Sequence, residues 1–151
     1  MRGLVDLHRV IYSPAQLHVM HTHFTKHYPS FDYHEHRGLT EQLREKLMHE
    51  FHIHEDDVED MYSPTQLSKF EIRKHYAYFA LQFADKDASD RISTQQIHCF
   101  VSSNFLIVVD EDNFIGVAEF DRIRNHLVNA ENYNSFDLFY ELLDISVIRM
   151  F

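Results

Sequence analysis

The hydrophobic pattern of this chain changes period around one stretch, Phe51 to Glu71 (FHIHEDDVEDMYSPTQLSKFE), and that change limits the folds open to it. Before the stretch, Leu43, Leu47 and Phe51 recur at spacings of four with Met48 beside them, the apolar stripe of a helix over about 40–51. After it, from Ser68 to Val109, Tyr, Phe, Val and Ile come in short runs, as in strands. Its middle packs the five acids Glu55, Asp56, Asp57, Glu59 and Asp60 into six positions. Helix and strand segments therefore meet around an acidic piece of chain, an obvious place for metal chemistry.

Local signals fill in the rest. Thr40 is a suitable N-cap, and Glu41 puts negative charge in the first turn, where the helix dipole favours it. A second short helix is expected over Asp56–Tyr62, stopped by Ser63-Pro64 because the residue before proline is pushed out of the α region. Strands are expected near 69–73, 75–84, 91–101 and 104–109, with Asp85–Asp90 (DKDASD) as the turn between two of them. Upstream, Leu4–Tyr12 reads as a strand broken by Ser13-Pro14, with Gln16–Met20 as a returning arm. His23–Tyr28 reads as a helical turn ending at Pro29, before a short strand at Phe31-Asp32-Tyr33. Downstream, Val117, Phe120, Ile123 and Leu127 share one helical face, and Phe136, Leu138, Leu142, Leu143 and Ile148 supply another. These predict closing helices over 116–130 and 133–151. The last breaks off in mid-pattern at Phe151, as a fragment of a longer protein would.

The 151 residues, 44% of them hydrophobic, suit one domain with a single core. A net charge of −10, with no Lys/Arg cluster, argues against a nucleic-acid partner and makes cations the expected guests. Cys99 is the only cysteine, so no internal disulfide can form. No apolar run approaches the roughly 20 residues needed to span a bilayer, and no signal peptide is visible, which points to the cytoplasm.

Each candidate site has a plain alternative. The DKDASD turn has the acids of a calcium loop at its first and third positions. It then places Asp90 where the loop needs Gly and Gln96 where it needs a bidentate Glu, so a solvated turn is expected. His52-Ile-His54-Glu55-Asp56-Asp57 resembles in part the metal-ligand run of metallohydrolases, but its last His is Asp57 and the glycine-rich setting is missing. His21 with His23, and His34 with His36, would share strand faces in a spacing zinc can use, whereas thirteen His also fit scattered surface and half-buried positions. No nucleophile with a nearby base and no phosphate-binding glycine loop is present, so an enzyme is not expected. The acids can be a charged helix start, or they can serve Mg2+, which needs only one or two carboxylates and keeps most of its waters.

The order and spacing of several short motifs resemble the N-terminal cytoplasmic domain of the CorA family of divalent-cation channels and transporters. They are a helix ending in Phe51, Ile53-His54, Glu59-Asp60, and Gln66 with Lys69. They continue through Tyr76–Phe83, Gln96-Ile97 and Asn104-Phe105-Leu106 to Tyr140, Leu142, Leu143 and Asp144. The chain departs from the family at His54-Glu55-Asp56, where His-Pro-Leu is usual, and at Leu67-Ser68, where Arg/His-Pro is usual. Phe31 stands in the place of the family's tryptophan.

The resemblance implies a mixed α/β domain, its sheet part parallel and part antiparallel with helices on both sides. It would form the funnel of a homopentamer on the cytoplasmic face of the cell membrane, reaching the bilayer only through C-terminal helices absent after Phe151. Asp60 would be a regulatory carboxylate facing an Asp on a neighbouring subunit's stalk, with Glu59 and Asp144 near a second metal position. The implied ion is Mg2+, bound weakly by this domain alone, with Co2+ a second candidate. A zinc-transporting relative of the same family, and more remotely a His-rich metallohydrolase, are the alternatives. By the same resemblance Glu55, Asp56 and Asp57 are not required as acids and are expected to be solvated.

Overall fold

A turn at Pro29 starts the sheet. The computed structural model describes residues 22–63, 68–86, 92–111 and 134–150. Tyr28-Pro29-Ser30-Phe31 folds the chain back on itself, with the Tyr28 N–H donating to the Phe31 carbonyl at 2.8 Å. Proline pre-sets the backbone for the second place of such a turn. The flanking arms are strand β1, Thr22–His27, and strand β2, Asp32–Arg37, paired antiparallel with His23 opposite His36. His23–Tyr28 is thus mostly strand and not the helical turn its shortness predicts. Pairing with β2 gives its backbone groups partners, and Phe24 packs against the core beneath.

Helix α1, Glu41–His49, starts where Thr40 accepts a 3.1 Å hydrogen bond from the Leu43 N–H, and it buries Leu43 and Leu47 as their spacing predicts. The chain then reverses through His52, whose positive φ of 55° is of a kind histidine tolerates better than most residues. Helix α2, Glu55–Met61, follows and ends at Tyr62. Three antiparallel strands come next: β3, Lys69–Ile72, β4, Ala77–Lys86, and β5, Ile92–Val101. Strand β6, Phe105–Asp110, and helix α3, Ser135–Met150, complete the described elements. β4 runs through Lys86, so the DKDASD segment begins inside a strand, and its last four residues lie outside the described residues. The strands expected over 4–12 and 16–20 and the helix expected over 116–130 also lie outside them.

The six strands form one sheet in the order β1-β2-β6-β5-β4-β3. Only the β2/β6 pair is parallel; the others are antiparallel, so the sheet is mixed. Because side chains alternate along a strand, the sheet has two apolar faces. One carries Tyr33, Ile97, Cys99, Val101, Leu106 and Val108 against Leu138, Phe139 and Leu142 of α3. The other carries Tyr78, Ala80, Phe100, Ile107 and Val109 against α1 and α2. Helices cover both faces of a mixed α/β sheet.

Candidate functional site

Helix α2 holds the five clustered acids, and its period sorts them. Val58 and Met61 face the sheet and are fully buried, and Asp57, one turn before Met61, is buried with them. Its carboxylate receives two bonds from Arg73, from Nε at 3.0 Å and from Nη2 at 2.8 Å, and a third from the Tyr76 hydroxyl. The Tyr76 oxygen in turn accepts the His54 N–H at 2.9 Å. Burial works against the ionised form of Asp57, but the hydrogen bonds from Arg73 and Tyr76 and the charge of Arg73 outweigh it. They hold the carboxyl below the usual carboxylate range. The expectation of a solvated Asp57 is therefore wrong: it is the buried acid that ties the start of α2 to the β3–β4 connection. Glu55 and Asp56 are exposed, as expected.

Glu59 and Asp60 lie on the outer side of the same helix. Glu59 is exposed and its Oε1 meets the Arg44 guanidinium, which also lies over the Tyr62 ring at 5.4 Å. Asp60 is half-buried, and its Oδ2 receives the Lys69 ammonium. The same ammonium lies 3.8 Å from Glu71 Oε1. Asp144 is exposed on α3, on the other side of the sheet. The structure thus brings Glu59 and Asp60 together on one helix and does not bring Asp144 to them within one chain. Among the described residues no group of three or more His, Cys, Asp or Glu is arranged to hold a metal ion. Glu59 and Asp60 face different partners, but each carboxylate is at least partly exposed, and a hard divalent cation that keeps its own waters needs only one or two such oxygens.

The histidine candidates separate differently. The His23 and His36 rings stack at 4.2 Å with an interplanar angle of 7°, and His34 lies 6.0 Å from His23. His23 Nε2 and His34 Nδ1 both hydrogen-bond the Thr25 hydroxyl, at 2.8 and 3.2 Å, so these nitrogens are engaged by a protein oxygen. His52 and His54 are exposed while Asp57 points into the Arg73 and Tyr76 pair, so the partial metallohydrolase run does not converge either. His21 lies outside the described residues. The partners Arg44, Arg73 and Tyr76 were missed from sequence. The one available signal was the helical period, which puts Asp57 on the Met61 face.

Residues 30–151 match the family model described as CorA-like Mg2+ transporter protein. The fold is similar to the complete structure of the CorA magnesium transporter from Methanocaldococcus jannaschii, with a TM-score of 0.60 and 11% identity, over 83% of this chain and 40% of that one. It is similar to the full-length CmaX protein, with a TM-score of 0.63 and 8% identity, over 91% of this chain and 41% of that one. It is also similar to the soluble domain of CorA from Methanocaldococcus jannaschii, with a TM-score of 0.55 and 13% identity, over 80% of this chain and 48% of that one. This chain spans less than half the length of each, and identities this low speak for the fold alone. No curated protein sequence matches the chain significantly.

Proposed function

Because this chain belongs to the CorA-like Mg2+ transporter family, we propose that it is the cytoplasmic regulatory domain of a divalent-cation transporter, sensing Mg2+ through carboxylates on α2. The observation that carries this reading is the pair Glu59-Asp60, neighbours on α2 that are exposed and half-buried where Asp57 is sealed. A hard cation that retains water needs no more than one or two such oxygens from a chain. Asp60 is the principal ligand, Glu59 its neighbour and Asp144 a contribution from elsewhere. Since α2 and α3 cover opposite faces of the sheet, Asp144 can join Glu59 and Asp60 only from a second copy of the chain. That requirement agrees with sensing at the interfaces of a ring of subunits, a homopentamer in this reading.

The mechanism follows from charge. Carboxylates facing one another across an interface repel, and the repulsion loosens the packing unless a cation lies between them. A bound Mg2+ supplies that screening, and the chain's own part is to present Asp60 on a helix fixed by buried anchors. Occupancy then biases the assembly toward one packed arrangement, because the cation binds that state better. Carboxylate and water oxygens suit Mg2+, and the pair lacks the imidazole and thiolate ligands that would select Zn2+. No helix among the described residues is long and apolar enough to cross a membrane. In the full-length transporter, Asp60→Ala should weaken inhibition of ion flux by internal Mg2+; an unchanged inhibition curve would sink the assignment.

A further inference from the structure

The acids of α2 are not bare, and their counterions differ in kind. Asp57 is fully buried and gripped at two points by the planar Arg73 guanidinium, so its partner is fixed. Glu59 faces Arg44, whose guanidinium is also held over the Tyr62 ring. Asp60 faces Lys69, a compact charge on a flexible stem. Lys69 and Glu71 stand two apart on β3 and so project from the same face of the strand. One ammonium therefore sits between two carboxylates from two elements, touching Asp60 and lying 3.8 Å from Glu71.

We propose that Lys69 is the resident counterion of Asp60 and sets the divalent-cation concentration at which that carboxylate becomes available, by passing to Glu71 when it is displaced. This rests on the reading of Asp60 as a cation-binding carboxylate. Three observations support it. The side chains are 28% exposed for Lys69, 30% for Asp60 and 39% for Glu71, so the exchange needs rotation of side chains and no opening of the core. The ammonium lies against both carboxylates, so a divalent cation that takes Asp60 has to displace it. Finally, a displaced Lys69 still has Glu71 within reach, so it need not return to water alone. With Lys69 present, the triad carries one net negative charge; without it, two, and a divalent cation is attracted more strongly.

The test is a titration of the purified, isotope-labelled chain with MgCl2 at constant ionic strength, read on the Asp60 carboxylate carbon and the Lys69 ammonium by NMR. In the wild-type chain the Lys69 ammonium signal should move as Mg2+ is added, together with the Asp60 carboxylate carbon. Lys69→Met should lower the half-saturating Mg2+ concentration about tenfold, as expected for removing a cation in contact with the ligand. Lys69→Arg should leave it near wild type, and Glu71→Gln, which takes away the alternative acceptor, should raise it severalfold. If Asp60→Asn abolishes binding but Lys69→Met and Glu71→Gln titrate like wild type, the counterion role is wrong while the reading of Asp60 stands. A binding curve that Asp60→Asn leaves unchanged overturns both, and so does the absence of binding in wild type and Lys69→Met alike.

Discussion

Asp57 and Asp60 are three positions apart on one short helix and have opposite fates. Asp57 is sealed under Arg73 and Tyr76, and the value of that arrangement lies in satisfying a charge already removed from water. Tyr76→Phe takes a donor from Asp57 and an acceptor from the His54 N–H, and should cost about 2 kcal/mol in denaturant unfolding. The depressed pKa of Asp57 also fixes a sign. A carboxylate whose folded pKa lies below its ordinary 3.8 adds stability that is complete above that pH. The contribution is lost as acid protonates it in the folded chain. Asp57→Asn should therefore lower Tm at neutral pH and flatten its fall below about pH 4, measured by thermal melts across pH. Cys99 behaves in the opposite sense: burial and the nearby Asp110 push its thiol up to about 12, so it stays protonated and unreactive in the folded chain.

Among elements, α1 and α2 work as one bracket. Thr40 caps α1 through its hydroxyl and also receives the Tyr62 hydroxyl on its carbonyl, so the start of one helix is tied to the end of the next. Burial raises the Tyr62 pKa to about 12, so this donor keeps its proton over the working range. Thr40→Ala should remove about 1 kcal/mol of stability by chemical denaturation. Because α2 presents Glu59 and Asp60, the same change should broaden the α2 amide signals near Tyr62. β1 carries the complementary lesson. Its sequence has no strong strand signature, and it becomes a strand because β2 offers an edge and Phe24 a place in the core.

For the whole molecule, the sheet is what couples the two sides. Phe100 points to the α1/α2 layer and its neighbours Cys99 and Val101 to the α3 layer, so adjacent residues of β5 serve two cores. Phe100 is fully buried, stacked on Tyr78 at 4.8 Å and packed edge-on against Tyr76 at 5.9 Å. Phe100→Ala should cost about 3–5 kcal/mol. With no Trp in the chain, tyrosine fluorescence and far-UV circular dichroism should report one common transition, shifted together. Two separated transitions would show that the layers are not coupled. The opposition of α2 and α3 across the sheet also keeps Asp144 away from Glu59 and Asp60 within one chain.

The sequence by itself determined the periodic elements: α1 with its Thr40 cap, α2 within a residue of its ends, strands β3 to β6, and α3. Each is written in local signals, because spacing and caps act between residues a few positions apart. The motif order extended that to the family. Which cation each acid meets depends on the folded arrangement. Arg73 and Tyr76 lie 16 and 19 residues from Asp57 along the chain, and Lys69 lies nine from Asp60. Charge balance is set by distance in space, which a list of residues does not contain, and so it took the packing of α2 on the sheet to bury Asp57, half-bury Asp60, expose Glu59 and give each its own cation.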